Sequence, residues 1–209
     1  MRFSEFMWQS GQLILLSIVW TIVALPAVTL GPATAALYYA VAKSVRCQRG
    51  SCLREFFSAF RSNLMPGIPL TALILVYSVL SVGALYFAYA SPTLPAPLRW
   101  LFFAVGGAFL LLVLLVVSCG FILLSRLNVS LLLCLKTSLY FAVINYKCTI
   151  SLILLMAGAG LLLFLMPALL VIVPSAACLV SSFIFEPVFK AYLGYFSKYI
   201  PEDSWCLEL

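Results

Sequence analysis

The amino-acid sequence predicts an all-α, polytopic transmembrane helical bundle, and three observations carry that prediction. Of 209 residues, 65% are hydrophobic and 9% charged, against roughly 25% charged in an ordinary soluble domain. So few charges cannot cover a water-exposed surface. Apolar runs close to the roughly 20 residues that cross a hydrocarbon core about 30 Å thick recur from Leu13 to Phe189. The basic residues fall between these runs, as they do in the cytoplasmic loops of membrane proteins. Little chain is left for a soluble domain, so residues 1–209 read as a single integral membrane domain.

The first apolar run, residues 13–29, halts at Pro26 and again at Leu30-Gly31-Pro32. Proline is tolerated at the start of a helix because the N–H it lacks would have no partner there. Gly31-Pro32 therefore reads as a turn that opens a second, short helix over residues 32–45. The competing reading is one long kinked helix, since proline in a membrane helix is often only a kink. Arg2, this apolar run and Ala33-Thr34-Ala35 imitate a cleaved signal peptide. Glu5 beside Arg2, and the continuation into Leu37, Tyr38 and Tyr39, argue that the segment is retained.

Residues 43–61 hold Lys43, Arg46, Arg49, Arg54 and Arg61, the strongest cytoplasmic marker in the chain. Within residues 51–64, Leu53, Phe56, Phe57, Phe60 and Leu64 recur at helical spacing, with Arg54, Glu55, Ser58, Arg61 and Ser62 opposite. This pattern predicts a cytoplasmic amphipathic helix lying in the membrane interface, its phenylalanines turned down into lipid or into a partner groove.

A third span is expected over residues 67–90, closed by the uncharged, proline-rich stretch 91–97. Arg99 and Trp100 suit the interfacial belt that opens a fourth span over 100–124. Arg126, Lys136 and Lys147 mark a second cytoplasmic stretch, and residues 148–189 are long enough for two spans with a turn between Pro167 and Pro174. Lys190 and Lys198 close the chain on the cytoplasmic side. Six spans place every basic cluster on one face of a cell membrane, with both termini cytoplasmic and Arg99 alone outside. Five spans, with the N-terminus outside, are the alternative. A faint repeat at an offset of about 82 residues pairs Cys52-Leu53-Arg54 with Cys134-Leu135-Lys136 and Asn63 with Asn145; chance in a Leu-rich chain is the better account of it.

Composition also excludes classes of function. The net charge of +6 forms no soluble basic stripe, so nucleic acid is not an expected partner. Seven cysteines occur without CxxC, and there is no histidine, so neither a metal nor another cofactor is expected. Most of the cysteines are expected in cytoplasmic loops, reduced. Without a nucleophile–base pair or a Gly-rich phosphate loop, an enzyme is not expected.

Several residues stand out as a candidate polar or substrate site. Thr29, Gly31, Pro32 and Thr34 read as a tight turn whose hydroxyls cap the next helix, or as a broken-helix site for a polar substrate. Tyr38 and Tyr39 read as interfacial anchors, or as a sugar-stacking pair. Glu186 stands four residues before Lys190, the favourable order for an ion pair along a helix. Arg126 marks a membrane boundary, Asn63 and Asn145 cap or link interfacial helices, and Arg126, Asn145 and Glu186 together could line a cavity.

The stretch Leu25-Pro26-Ala27-Val28-Thr29-Leu30-Gly31-Pro32-Ala33-Thr34-Ala35-Ala36-Leu37-Tyr38-Tyr39, followed by Phe56-Phe57-Ser58-Ala59-Phe60-Arg61-Ser62-Asn63, resembles the YesL family of small bacterial membrane proteins. The match is specific over the first third of the chain; beyond Pro66 it rests on span pattern, with Arg126 and Asn145 as looser echoes. The resemblance implies a multi-pass protein encoded near carbohydrate-uptake systems, with no catalytic or binding residues to carry over. Two expectations of function follow. One is an accessory or regulatory component that docks a carbohydrate transporter subunit through the amphipathic helix, by Leu53, Phe56, Phe57, Phe60, Arg61 and Leu64. The other, motivated by the faint repeat and the Gly31-Pro32 break, is a small stand-alone transporter of sugars or related solutes. Beyond the lipid bilayer no partner is specified, and homo-oligomerisation is left open.

Overall fold

The computed structural model describes residues 3–91, 95–127 and 130–192, with side chains from Trp8 onward. Arg2, Lys198, Cys206 and the Glu5 side chain lie outside that description. Among the described residues the chain is helical, without strands. Helix α1 (Phe3–Val23) is followed by a 3-10 turn (Ala27–Thr29), α2 (Leu30–Ala40) and a π-helical turn (Val41–Arg46). Then come α3 (Cys52–Ala90), α4 (Ala96–Arg126), α5 (Leu131–Ile144), α6 (Tyr146–Leu165), a second 3-10 turn (Pro167–Val171) and α7 (Val173–Ala191). Of these, α3, α4, α6 and α7 are long and apolar enough to cross a membrane, and α1 and α5 contribute shorter apolar stretches.

The break at residues 24–29 is a true reversal. Leu16 of α1 shares one buried cluster with Leu37, Ala40, Val41 and Phe56, so α1 folds back along α2 and the single kinked helix is excluded. Thr29 does not cap the next helix, contrary to expectation. Its hydroxyl donates backward to the carbonyls of Val23 (2.7 Å) and Pro26 (2.8 Å), and the first of these is a carbonyl left open by the end of α1. Thr34 likewise donates back to the carbonyl of Leu30. Pro32 falls within the first turn of α2, where its missing N–H is not needed. Gly31 is required by contact: a Cβ there would stand 2.0 Å from Thr71 Oγ1 and 2.7 Å from the Phe121 ring. A Cβ on Gly67 would meet Pro32 Cγ at 2.7 Å, so α2 and α3 meet through two glycines. The first turn of α2 is thus a packing device against α3.

The predicted interfacial helix is not a separate element. It continues through Pro66 and Pro69 into the next span as one helix of 39 residues, about 58 Å long at 1.5 Å per residue. The prolines deprive the carbonyls of Ser62 and Met65 of their usual i→i−4 partner, a loss that membrane helices tolerate where side chains or neighbours compensate. The phenylalanines also divide. Phe56 is fully buried against α1 and α2, and Phe60 packs partly on the same cluster. Leu53 and Phe57 remain exposed, as does Arg61. The face expected to hold a partner is in part the chain's own core.

Beyond Thr71, α3 runs antiparallel to α4 as a two-helix arm. Its seam is made of small residues: Ser81 and Ala88 are buried on one side and Gly106 on the other. Ser81 Oγ donates to the Gly106 carbonyl at 2.8 Å. Outward, Val76, Val79, Val82, Tyr86, Leu101 and Leu111 are exposed, an apolar surface that calls for lipid. Tyr89 (81% exposed) and Trp100 (67%) sit at its far end, where aromatic residues meet a headgroup layer.

Helix α5 departs from expectation. Cys134, Thr137, Ser138, Phe141 and Ala142 form its buried face, spaced i, i+3, i+4, i+7 and i+8, while Lys136 is exposed. Asn145 interrupts the ladder between α5 and α6, so the two halves of the faint repeat differ: unbroken in α3, broken here. The cysteines are also placed differently from expectation. Cys52, Cys119, Cys134, Cys148 and Cys178 are within helices and only Cys47 of the described cysteines is in a loop; all six are free thiols.

Candidate functional site

Glu186 is 1% exposed, at the inner face of α7 beside Phe185 and Phe189. A carboxylate in such a place must be neutralised or hydrogen-bonded. Its partner is Arg126, 3% exposed at the last turn of α4, whose Nη2 forms an ion pair with Glu186 Oε1. Tyr38 of α2, 2% exposed, donates its hydroxyl to the same oxygen at 2.8 Å. The Arg126 guanidinium also stands over the Tyr38 ring, 5.7 Å from its centroid. Three helices distant in sequence are thereby tied at one carboxylate oxygen.

These contacts correct two expectations. Glu186 pairs with Arg126 instead of Lys190, because it faces inward and a buried guanidinium satisfies it better than a partly exposed ammonium. Tyr38 is a hydrogen-bond donor in the core and not an interfacial anchor. A signal joining them is present in the sequence: an acid and a base, each within apolar sequence, imply each other when neither can be buried alone.

An aromatic layer supports the triad. Phe185 lies edge-on to Tyr38 at 6.5 Å and packs against Phe141 and Phe189 at 5.0 and 5.6 Å. Asn145 belongs to the rim of that layer. It accepts a long hydrogen bond from the Tyr192 hydroxyl at 3.4 Å and does not join Arg126 and Glu186 in one cavity.

Residues 124–127 at the end of α4 border, with α2 and α3, a cleft of about 170 Å³, and the Arg126 side chain itself has no exposed surface. Tyr39, Ser58, Ser62, Asn63 and Ser125 supply the cleft's polar groups. Asn63 Nδ2 donates to the Ala59 carbonyl at 2.9 Å, inside its own helix. Thr29, Gly31, Pro32 and Thr34 are not among the cleft's lining residues.

The π turn positions the adjoining basic segment. Cys47 N–H reaches the Ala42 carbonyl at 3.3 Å, a five-residue step that widens the helix and rotates the next residues about its axis. Lys43 is thereby paired with Glu55 at 2.8 Å, and Arg46 donates to the Ser182 carbonyl at 2.6 Å while stacking over Phe183. Burial would lower the Lys43 pKa, but the Glu55 hydrogen bond and Tyr39 outweigh it and hold the ammonium above its ordinary value. Gln48 (φ 53°) and Gly50 (φ 78°) then turn the chain into α3. An open groove of about 880 Å³ lies beside this loop, walled by Trp8, Gln12 and Leu15 of α1 and by Gln48, Ser51 and Leu53.

Among the described residues the chain is all-helical, with four helices long and apolar enough to cross a membrane, consistent with a membrane protein, and a buried charged pair joins α4 to α7. Residues 13–85 match the family described as "Protein of unknown function, DUF624", a stretch that includes the α1–α2 reversal, the π turn and most of α3. No curated protein and no solved structure matches the chain.

Proposed function

We propose that this chain is a YesL-like multi-pass protein of a bacterial plasma membrane, with six spans and cytoplasmic termini, acting as an accessory or regulatory component of carbohydrate uptake. The observation that carries the reading is that the interior charges are spent on each other. Arg126, Glu186 and Tyr38 close a single knot, whereas a proton-coupled transporter keeps ionisable groups facing a pathway. The polar cleft beside them holds about 170 Å³, below the roughly 300 Å³ at which small-molecule sites begin. The larger space is the surface groove between α1 and residues 44–53, which leaves docking as the better use of this molecule. The link to carbohydrate uptake rests on the resemblance of residues 25–63.

The test is a pull-down of the tagged full chain from native membranes in mild detergent, with mass spectrometry of the eluate. A transporter subunit in fixed ratio, lost on Phe57→Asp, supports the accessory role; a homogeneous eluate rejects it. A stand-alone transporter is the second reading, favoured by the burial of Glu186 within a candidate span. Proteoliposomes that take up no labelled sugar, with or without a proton gradient, would remove it.

A further inference from the structure

Helix α5 has two unlike faces. Cys134, Thr137, Ser138, Phe141 and Ala142 bury one of them. The opposite stripe, Leu132, Lys136, Tyr140 and Val143 at i, i+4, i+8 and i+11, is exposed, with Leu132, Tyr140 and Val143 at 70%, 62% and 65%. At 14 residues the helix is about 21 Å long, too short to cross a hydrocarbon core about 30 Å thick. A short helix whose open side is apolar but carries a cation suits the boundary between acyl chains and headgroups. The start of α6 repeats the chemistry. Tyr146 and Lys147 are exposed where the two helices meet, ahead of the exposed Ile150 and Leu154 on a helix long and apolar enough to cross a membrane.

Among the described residues nothing neutralises these lysines: neither ammonium has a hydrogen-bond or ion-pair partner. The described acidic side chains are Glu55 and Glu186, already paired with Lys43 and Arg126. A second copy of the chain would therefore bring no free described carboxylate to meet them. A cation within an apolar stripe that faces lipid calls for a counter-charge from outside, and the phosphate of an anionic headgroup is the anion found at that boundary. Tyr140, one turn from Lys136, adds an amphipathic ring of the kind that sits at headgroup level.

We propose that the outer face of α5, with the first turn of α6, is a binding surface for anionic phospholipid. Lys136 and Lys147 meet the phosphates, Tyr140 and Tyr146 lie among the headgroups, and Leu132 and Val143 rest against acyl chains. Lipid held there braces α5 from outside, while Phe141 on its inner face packs against Phe185 at 5.0 Å and Tyr192 at 5.6 Å. The surface is independent of the accessory reading, since a transporter would carry it equally.

The experiment is thermal unfolding of the purified full chain in a non-ionic detergent, titrated separately with phosphatidylglycerol, phosphatidylcholine and inorganic phosphate. Phosphatidylglycerol should raise Tm by several degrees, and phosphatidylcholine should not. Lys136→Gln/Lys147→Gln should abolish most of the rise and Lys136→Arg/Lys147→Arg should keep it. Arg54→Gln/Arg61→Gln, at exposed positions on α3, should leave it unchanged. An equal rise with phosphatidylcholine would remove the charge from the recognition, and an equal rise with inorganic phosphate would replace the lipid by a free anion; either overturns the proposal. A rise undiminished in the Lys→Gln variant would reject this surface, and loss of the rise in the arginine variant would move the binding to α3. No rise with phosphatidylglycerol would reject it outright.

Discussion

The α3–α4 arm and the base of the molecule, where the end of α4 meets α2 and α7, share one helix, yet they are held together in opposite ways. Along the arm the helices approach through Ser81, Ala88 and Gly106, and one hydroxyl crosses the seam. In lipid there is no hydrophobic force between apolar helices, so packing, with Tyr77 against Phe109 and Phe87 against Phe102, and a hydrogen bond worth about 0.6 kcal/mol must suffice. At the base, Arg126 is fixed to Glu186, and Tyr38 to the same carboxylate, where each group would be costly alone. The difference teaches that the arm tolerates individual losses whereas the base fails as a unit.

The largest effect should come from opening the base. Arg126→Gln or Glu186→Gln leaves one buried charge unpaired, and about 3–5 kcal/mol of stability should be lost. Chemical unfolding in detergent would measure it, and Arg126→Met with Glu186→Leu should recover most of the loss. If the double variant is as unstable as either single one, the pair is not what holds the base. Next is Gly31→Ala, whose Cβ would collide with Thr71 Oγ1 at 2.0 Å; overpacking of this kind costs about 1–3 kcal/mol. Tyr38→Phe removes one hydrogen bond to a carboxylate, about 1.5–3 kcal/mol at most, and Phe185 and the guanidinium still hold the ring.

The arm supplies the contrast. Nothing stands within 4 Å of a Cβ on Gly107, so Gly107→Ala should gain up to about 1 kcal/mol from helix propensity. Gly106→Ala, one residue earlier, would press on Leu85 Cγ at 2.9 Å and should lose stability. Equal behaviour of the two would mean that the seam is not as described.

The smallest effect is expected at Lys43–Glu55, a partly exposed pair worth under about 1 kcal/mol. Because the folded-state pKa of Lys43 is raised, its contribution is complete below the ordinary lysine value and is lost only as pH rises through the higher one. The difference in unfolding midpoint between the protein and Lys43→Met should therefore stay constant from about pH 6 to about pH 9, below the ordinary lysine value. Convergence within that window would contradict the raised value.

The apolar helices are legible in the sequence because lipid imposes one requirement on every residue of a span. Gly31-Pro32 is legible as the start of a second helix, since proline near a helix start is pre-organised for it, although the reversal itself falls at residues 24–29 and α2 begins at Leu30. The continuity of α3 is not legible: Pro66 and Pro69 ordinarily mark an end, whereas in the fold the helix runs through them with Gly67 packed on Pro32 of α2. Helix α5 escapes because Lys136 interrupts a run of 14 residues, too short to read as a span. The triad escapes for another reason. Tyr38 and Glu186 are 148 residues apart and Arg126 and Glu186 are 60 apart, while Lys190 offers a local partner that periodicity cannot rule out.

The length of α3 has a mechanical consequence. From Ser62 to Ala90 the helix is a lever of about 42 Å, so a tilt of about 5° near Ser62 would displace its tip by about 4 Å. A shift of α3 where it packs on α2 is therefore carried along the helix toward Ala90. The two prolines set where that lever bends.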